Sequence, residues 1–440
     1  MTFHSSPTVS AKEIVLNPEQ QEASHEFFNF LMGNQKEFRV SGPAGTGKTT
    51  LMGYMVGDML QQYHAACALL GIPSVNFEVH LTATTNKAAE VLANATRQRT
   101  NTIHSHLCLR VKDDYKTGKQ TLIRRPDWAV KSRQIIVIDE ASMVDHNLYR
   151  EIHKGTDDTC KILYLGDHCQ LAPVNEKLSR VYQTKDNSAF LTQPMRNAGQ
   201  PLLVELSDAL RSTVETLQFF DIPAHPGVID VFTDPQDAFQ FIADHFSQET
   251  ETSRILGYTN NVVQQYNTHI RALRNYPNHF VAGETVLVNS AFEMARGLLL
   301  SAQEEVFVID SDESDQRHRV AMGIDIHSYW IKIKSRNTID PITFYVPFSF
   351  SKVQEALRAA YRAKDFDTYF SLKNTYPDFR QKDAITVYKA QGSTYETVFM
   401  DLDDIGTCTH SDQLARMLYV AATRARSRVV IWGALPNRLF

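Results

Sequence analysis

The sequence predicts an α/β protein: two lobes built on parallel sheets, a β-hairpin inserted in the first, and a small β-barrel with a helical appendage inserted in the second. Three observations predict it. Short β-branched runs alternate with helical patterns in two separate series. A glycine-rich segment, residues 42–50, joins one such strand to one such helix. Two stretches break the alternation and carry their own patterns.

The first series has apolar runs at residues 38–40, 77–83, 135–138 and 162–165; the second has them at 255–258, 398–402 and 429–432. Strands this apolar, each followed by a helix, read as parallel sheets covered on both faces. The series separate near residue 205. This places a first lobe at 1–205, a second at 206–283 and 383–440, and an inserted unit at 284–382. Inside the first lobe, residues 107–128 carry Arg110, Lys112, Lys116, Lys119, Arg124 and Arg125 around the turn Lys116-Thr117-Gly118-Lys119, a basic hairpin. The inserted unit alternates at 285–288, 305–309, 328–333 and 342–346, then turns helical from Ser351 to Lys373. Its aromatic residues from Tyr361 to Tyr376 fall at helical spacing and read as packing of the appendage.

A length of 440 residues suits about three domains of ~150 residues each. Hydrophobic residues at 43% and charged residues at 22% are ordinary for a globular chain. The net charge of −5 gives no global sign of nucleic-acid binding, but such binding needs a basic groove, not a basic average. Five scattered cysteines with no Cys-x-x-Cys pair argue against a disulfide framework or a zinc site and for a reducing compartment. The longest apolar run, 65–75, is broken by Gly71 and Pro73, short of the ~20 residues of a membrane span. The first dozen residues lack a signal pattern. A cytoplasmic chain without a membrane partner is expected.

The chemistry begins at Gly42-Pro43-Ala44-Gly45-Thr46-Gly47-Lys48-Thr49-Thr50. This G-x-x-x-x-G-K-T pattern, between a strand and a helix, lets backbone N–H groups close around phosphates. Lys48 then reaches the β- and γ-phosphates of ATP, and the Thr49 hydroxyl takes Mg²⁺. The run 135–138 ends in Asp139-Glu140, where Asp139 completes the metal site and Glu140 positions and deprotonates the attacking water. Alone, such a pair could be strand-end carboxylates in solvent; a phosphate loop on the same chain decides for chemistry.

Further segments follow in order. Leu16-Asn17-Pro18-Glu19-Gln20 precedes the loop; Leu81-Thr82-Ala83-Thr84-Thr85-Asn86-Lys87 and Thr102-Ile103-His104-Ser105 come after it. Gly166-Asp167-His168-Cys169-Gln170-Leu171-Ala172-Pro173-Val174 and Leu191-Thr192-Gln193-Pro194-Met195-Arg196 close the first lobe. Tyr258-Thr259-Asn260-Asn261, Thr386-Val387-Tyr388-Lys389-Ala390-Gln391-Gly392-Ser393-Thr394 and Leu418-Tyr419-Val420-Ala421-Ala422-Thr423-Arg424-Ala425-Arg426 lie in the second. In this order and spacing they resemble the motifs of superfamily 1 helicases of the Dda/RecD-like kind, over residues 20–426. Tyr388 stands where that family has histidine.

The resemblance implies two RecA-like P-loop NTPase lobes, with the inserted barrel SH3-like. It implies that Gln20 reads adenine and that Gln170 and Arg196 reach the γ-phosphate. Gly392 and Arg424 come to the nucleotide from the second lobe. The catalytic set is then Lys48, Glu140, Gln170, Arg196 and Arg424. Thr85, Asn86, Thr102, His104, Tyr388 and Lys389 contact single-stranded DNA. Movement is 5′ to 3′ toward a fork duplex, by a monomer, with replication or recombination proteins as possible partners; the 107–128 hairpin could wedge the strands apart. Taken singly, Gln20 and Arg196 are ordinary surface residues, and Arg424 a cation in a helix's last turn. Two alternatives stay open: an ATP-driven DNA translocase or remodeller that separates no strands, and an RNA-directed motor.

Overall fold

The computed structural model describes residues 15–113, 120–173, 176–184, 186–193, 200–293, 299–319, 324–335, 338 and 340–439. The chain first lays down β1 (Glu37–Ser41), β2 (Glu78–Ala83) and β3 (Thr100–Thr102). It then makes a hairpin, β4 (Leu109–Asp113) and β5 (Gln120–Arg124), before β6 (Gln134–Asp139), β7 (Lys161–Gly166) and β8 (Ser188–Phe190). The sheet order is β3-β2-β6-β7-β1-β8, every pairing parallel. Ile135 through Ile138 on β6 are wholly buried, because helices cover both faces of a central strand. One covering helix, Pro18–Met32, starts at a reciprocal cap between Asn17 and Gln20 and sets Phe27 and Phe30 on Phe38. The edge strands β3 and β8 went unsignalled: three residues, half of them facing water, make no pattern.

The hairpin pairs from Leu109↔Arg124 to Asp113↔Gln120; its turn, with Lys116 and Lys119, lies outside the described residues. Leu107 and Leu109 root it in the core beside Ile136 and Tyr164. Arg124 stacks on Trp128 and pairs with Glu151, and Arg125 pairs with Asp127. Two of the hairpin's basic residues are thus neutralised within the protein, so less of its charge faces outward than the sequence implies.

Just before the hairpin, His106 lies 4.4 Å from the ring of His80 and hydrogen-bonds Gln134. Burial, then the neighbouring His80, pushes its pKa down to about 4. The folded state therefore refuses a proton that the unfolded chain accepts near 6.5. Stability should be complete above pH 6.5 and fall between 6.5 and 4, by about 1–3 kcal/mol from this residue. Thermal melts of the parent and His106→Gln across this window test it. A His106→Gln curve with the parent's full acid slope would rule out His106 as the cause.

β9 (Ile229–Phe232) and β10 (Ser253–Gly257) open a second sheet, and the chain then leaves it. The excursion comprises β11 (Thr285–Val288), the small pair β12 (Phe292–Glu293) and β13 (Leu299–Leu300), β14 (Glu305–Arg319), β15 (Asp325–Lys334), β16 (Ile342–Pro347) and β17 (Phe379–Arg380). Five of these form an antiparallel sheet, β16-β15-β14-β11-β17. Helices Phe350–Arg362 and Phe366–Thr375 pack on its end through Val353, Ala356, Leu372 and Tyr376 against Ile326. Among the aromatics expected to pack here, Phe370 and Tyr376 are buried, but Tyr361 is 46% exposed. The chain returns as β18 (Ala384–Thr386), β19 (Tyr395–Asp401) and β20 (Ala425–Trp432), giving a parallel order β18-β10-β19-β20-β9. Helix Pro201–Thr216 puts Leu203, Leu206 and Leu210 into this second core. The division expected at 205 therefore falls inside a helix that packs as one piece on the second sheet; an amphipathic pattern does not say which sheet it covers. No helix among the described residues is long and apolar enough to cross a membrane.

Candidate active site

The phosphate loop leaves the end of β1, and helix Lys48–Tyr54 follows it directly. Gly47 sits at φ 76°, a left-handed position that a side chain strains, and begins the helix. A Cβ on Gly42 would lie 2.4 Å from the Leu191 carbonyl oxygen, so only glycine fits there. Lys48 Nζ donates to the carbonyls of Gly42 and Pro43, at 2.7 Å each, across the mouth of the loop. Burial lowers its pKa, opposed by Asp167, Glu140 and Asp139. Those three carboxylates come from the neighbouring strand ends, β6 and β7, which the parallel order sets beside β1. Gln20 lies beneath the loop, wholly buried. Its Oε1 accepts from Asn17 N–H and its Nε2 donates to Thr46 O. Here it braces the loop, and its amide does not stand open for two bonds to a base.

Asp139 Oδ1 accepts from the Glu140 N–H, and Glu140 takes a left-handed φ of 53° that turns its side chain off the strand line. Burial, then the adjacent Glu140, pushes Asp139 up to about 7. Two carboxylates crowded in this way favour a cation, and oxygen donors are the kind Mg²⁺ prefers.

The second sheet closes this cleft by one loop and one helix. Gln391, just after helix Val387–Ala390, donates from Nε2 to Ser142 Oγ at 2.9 Å and Gln170 Oε1 at 3.1 Å, with Glu140 Oε2 at 3.5 Å. The next residue, Gly392 at φ 81°, would put a Cβ 3.6 Å from Ala88 Cβ on the first sheet's side. Asp167, fully buried, accepts from Arg211 Nη1 at 2.8 Å, Tyr419 Oη at 2.6 Å and Cys169 N–H at 3.0 Å. Burial alone would lower the Arg211 pKa, but Asp167 holds it well above the usual range; burial and Asp167 together raise Tyr419. Arg416 Nη1 donates to Gln170 O at 2.8 Å and also to His168 O. Asp167, His168 and Cys169 bring donor atoms within 4.8 Å of one another. Arg211 and Tyr419 already occupy the Asp167 oxygens, and a guanidinium beside them disfavours a metal cation.

The predicted residues therefore divide. The loop of Gly42 through Thr50 lies beside Asp139, Glu140 and Gln170, and Gly392 approaches from across the cleft. Arg196 lies outside the described residues. Arg424 stays in the second lobe: its guanidinium donates to Val420 O, Ser393 O and Thr423 Oγ1, each at 3.2 Å, closing the end of helix Ser411–Thr423. That is the last-turn role, and the cations that cross the cleft are Arg211 and Arg416. Sequence reasoning missed Gln391, Asp167 and Tyr419, although all three stand inside motifs quoted above. Arg211 and Arg416 carried no signal, being single charges on helices.

At one edge of each parallel sheet, strands end in threonines that cap helices. Thr85 accepts from Ala88 N–H and Thr102 from Ser105 N–H on the first sheet. Thr259 accepts from Val262 N–H and Thr386 from Lys389 N–H on the second. Asn86 opens the helix after Thr85. His104 is half-buried, and burial lowers its pKa against the pull of Asp145. Lys389 Nζ donates to Asn289 Oδ1 of the inserted unit, and burial lowers its pKa. Tyr388 is half-buried and packs on the second core with its hydroxyl accepting from Gln413. Thr259 and Asn260, absent from the expected contacts, complete the pattern.

A model of the AAA domain matches residues 15–233, and a model of the UvrD-like helicase C-terminal domain matches residues 383–432. An uncharacterised protein of Acanthamoeba polyphaga mimivirus is 22% identical over 94% of this chain and 99% of its own. The ATP-dependent DNA helicase dda of Enterobacteria phage T4 is 24% identical over 61% of this chain and 60% of its own. Among solved structures, Pif1 helicase from Candida albicans is 16% identical over 97% of both chains, with a TM-score of 0.43. A Pif1 structure on DNA unwinding at forked duplexes is 15% identical over 97% of this chain and 94% of its own, with a TM-score of 0.46. The two family models, an AAA domain and a UvrD-like helicase C-terminal domain, lie in order over the segments that form the two walls of the cleft.

Proposed function

We propose that this chain hydrolyses ATP between its two parallel-sheet lobes and uses the cycle to move 5′ to 3′ along single-stranded DNA, separating the duplex ahead. The observation that carries the reading is the Gln391 amide, which reaches across the cleft to Gln170, Ser142 and Glu140. The group that activates water is thereby tied to the lobe that must move. Lys48 exchanges its two loop carbonyls for phosphate oxygens when ATP enters. Glu140 orients and deprotonates the attacking water. Thr49 and Asp139 would hold Mg²⁺, which would supply positive charge against the phosphates. Arg424 reaches the γ-phosphate only by releasing Ser393 O, so any contribution it makes waits on a lobe rearrangement.

The strand is read as crossing the threonine-capped edges, where unpaired helix N–H groups offer partial positive charge to phosphates. Thr85, Asn86, Thr102 and His104 serve the first lobe; Thr259, Thr386 and Lys389 serve the second. The antiparallel insertion is read as the SH3-like barrel of this kind of helicase. Forked duplexes with a single 5′ or a single 3′ tail test the proposal. Unwinding is expected from the 5′ tail at least about tenfold faster than from the 3′ tail. Equal rates would remove the polarity, and greater ATPase stimulation by single-stranded RNA than by DNA would move the substrate to RNA.

A further inference from the structure

The helical appendage carries a face that neither the nucleotide cleft nor the threonine edges use. Helix Phe350–Arg362 buries Val353, Ala356 and Ala360, half-buries Leu357 and turns Gln354, Arg358, Tyr361 and Arg362 outward. With Tyr369 of the next helix they line an open hollow of about 360 Å³, within the size range of small-ligand sites. The Tyr361 and Tyr369 rings lie 6.0 Å apart at 61°, with Phe366 bracing Tyr361 at 5.8 Å. Neither Arg358 nor Arg362 has an ion-pair or hydrogen-bond partner among the described residues. Nearby acids are engaged elsewhere, Glu355 with Lys352 and Asp365 as the cap of the second helix.

We propose that this hollow binds single-stranded nucleic acid, as a second contact taken by the strand displaced during unwinding; the inference rests on the helicase reading above. Two unpaired guanidiniums flanking the exposed Tyr361 and the half-buried Tyr369 match phosphates alternating with bases, since every base presents a face for stacking and arginine pairs with phosphate. A duplex hides its base faces, so the occupant is a single strand. The position also fits. Phe350, where the appendage begins, lies under the guanidinium of Arg380 at 5.1 Å, and Arg380 lines the same cleft as Asn260, Thr386 and Lys389. The appendage thus springs from the edge where the tracked strand is placed, and none of that edge's residues lines the hollow.

The test uses the full chain with Tyr361→Ala, Arg358→Ala and Arg362→Ala combined; all three are exposed, so folding should survive. Two substrates share a 5′ loading tail, and only one carries an unpaired 3′ arm on the strand to be displaced. The parent should unwind the armed substrate faster, and the variant should lose that preference, by ~5-fold or more if one stacked base is involved. ATPase stimulation by single-stranded DNA should stay at the parental level. A variant that keeps the parental preference overturns the proposal. So does a change confined to self-association, which would make the face a contact with a second copy. Failure of the motor reading looks different: the parent itself would show no DNA-stimulated ATPase.

Discussion

Replacing Lys48 by alanine is expected to lower DNA-stimulated ATP hydrolysis by at least about 10²–10³-fold, with little change in thermal stability. Phosphoryl transfer is catalysed mainly by positioned charge, and one well-placed donor in a closed site carries about that factor. The Lys48 ammonium is the cation over the phosphate loop, bonded to two loop carbonyls and facing three carboxylates. No other lysine or arginine hydrogen-bonds these carbonyls among the described residues. Glu140→Gln should separate binding from chemistry. The amide keeps the shape and the bond toward Gln391 but cannot take a proton, so nucleotide affinity should hold while kcat falls by about 10²–10⁴-fold. Fluorescent-nucleotide titration beside steady-state ATPase measures both. Near-parental turnover in Lys48→Ala would remove the loop from the chemistry, and weakened binding in Glu140→Gln would make that residue a structural support.

Asp167→Ala should be the most destabilising single change near the cleft, by about 3–5 kcal/mol, the usual effect of removing one partner of a buried ion pair. Asp167 has no solvent exposure, and its loss leaves the Arg211 guanidinium only the Tyr419 hydroxyl at 3.3 Å and the half-exposed Glu215 carboxylate at 3.5 Å. Arg211 Nη2 already lacks a hydrogen-bond partner. The double variant Asp167→Ala with Arg211→Met should regain much of the lost stability, because the uncompensated charge is gone. Its kcat should nevertheless stay low, since the loop that carries Gln170, three residues on, loses the Asp167 bonds to the second lobe and keeps only those from Arg416 and Gln391. Urea or thermal melts of the single and double variants decide this, with ATPase measured on each. If the double variant proves as unstable as the single, charge burial is not the cause; if its kcat recovers with stability, the network only holds the fold together.

Much of this was legible in the sequence because the information is local. A strand buried on both faces must be apolar at nearly every position, which fixed residues 135–138 and 162–165 as central. A loop that wraps phosphates needs glycines at fixed offsets, which fixed Gly42 through Thr50. Asp139 and Glu140 follow from the end of a buried strand, where a carboxylate first meets the cleft. The inserted strand at 342–346 shows itself by alternation, since one face of an antiparallel sheet meets water, whereas 285–288 is buried at three of its four positions.

The tertiary structure alone decided which groups meet across the cleft. Gln391 and Gln170 are separated by 221 residues, Arg211 and Asp167 by 44, and Tyr419 and Asp167 by 252. No periodicity links such positions; the meeting depends on how two sheets, each complete in its own core, are set against one another. The same reason bears on Arg424. Its motif marks it as chemically capable, and in this structure its guanidinium takes acceptors within its own lobe, the carbonyls of Val420 and Ser393. It explains the appendage as well. Tyr361 and Phe370 are equally aromatic in the sequence, and only the packing of two short helices on Ile326 turns one ring inward and leaves the other in water.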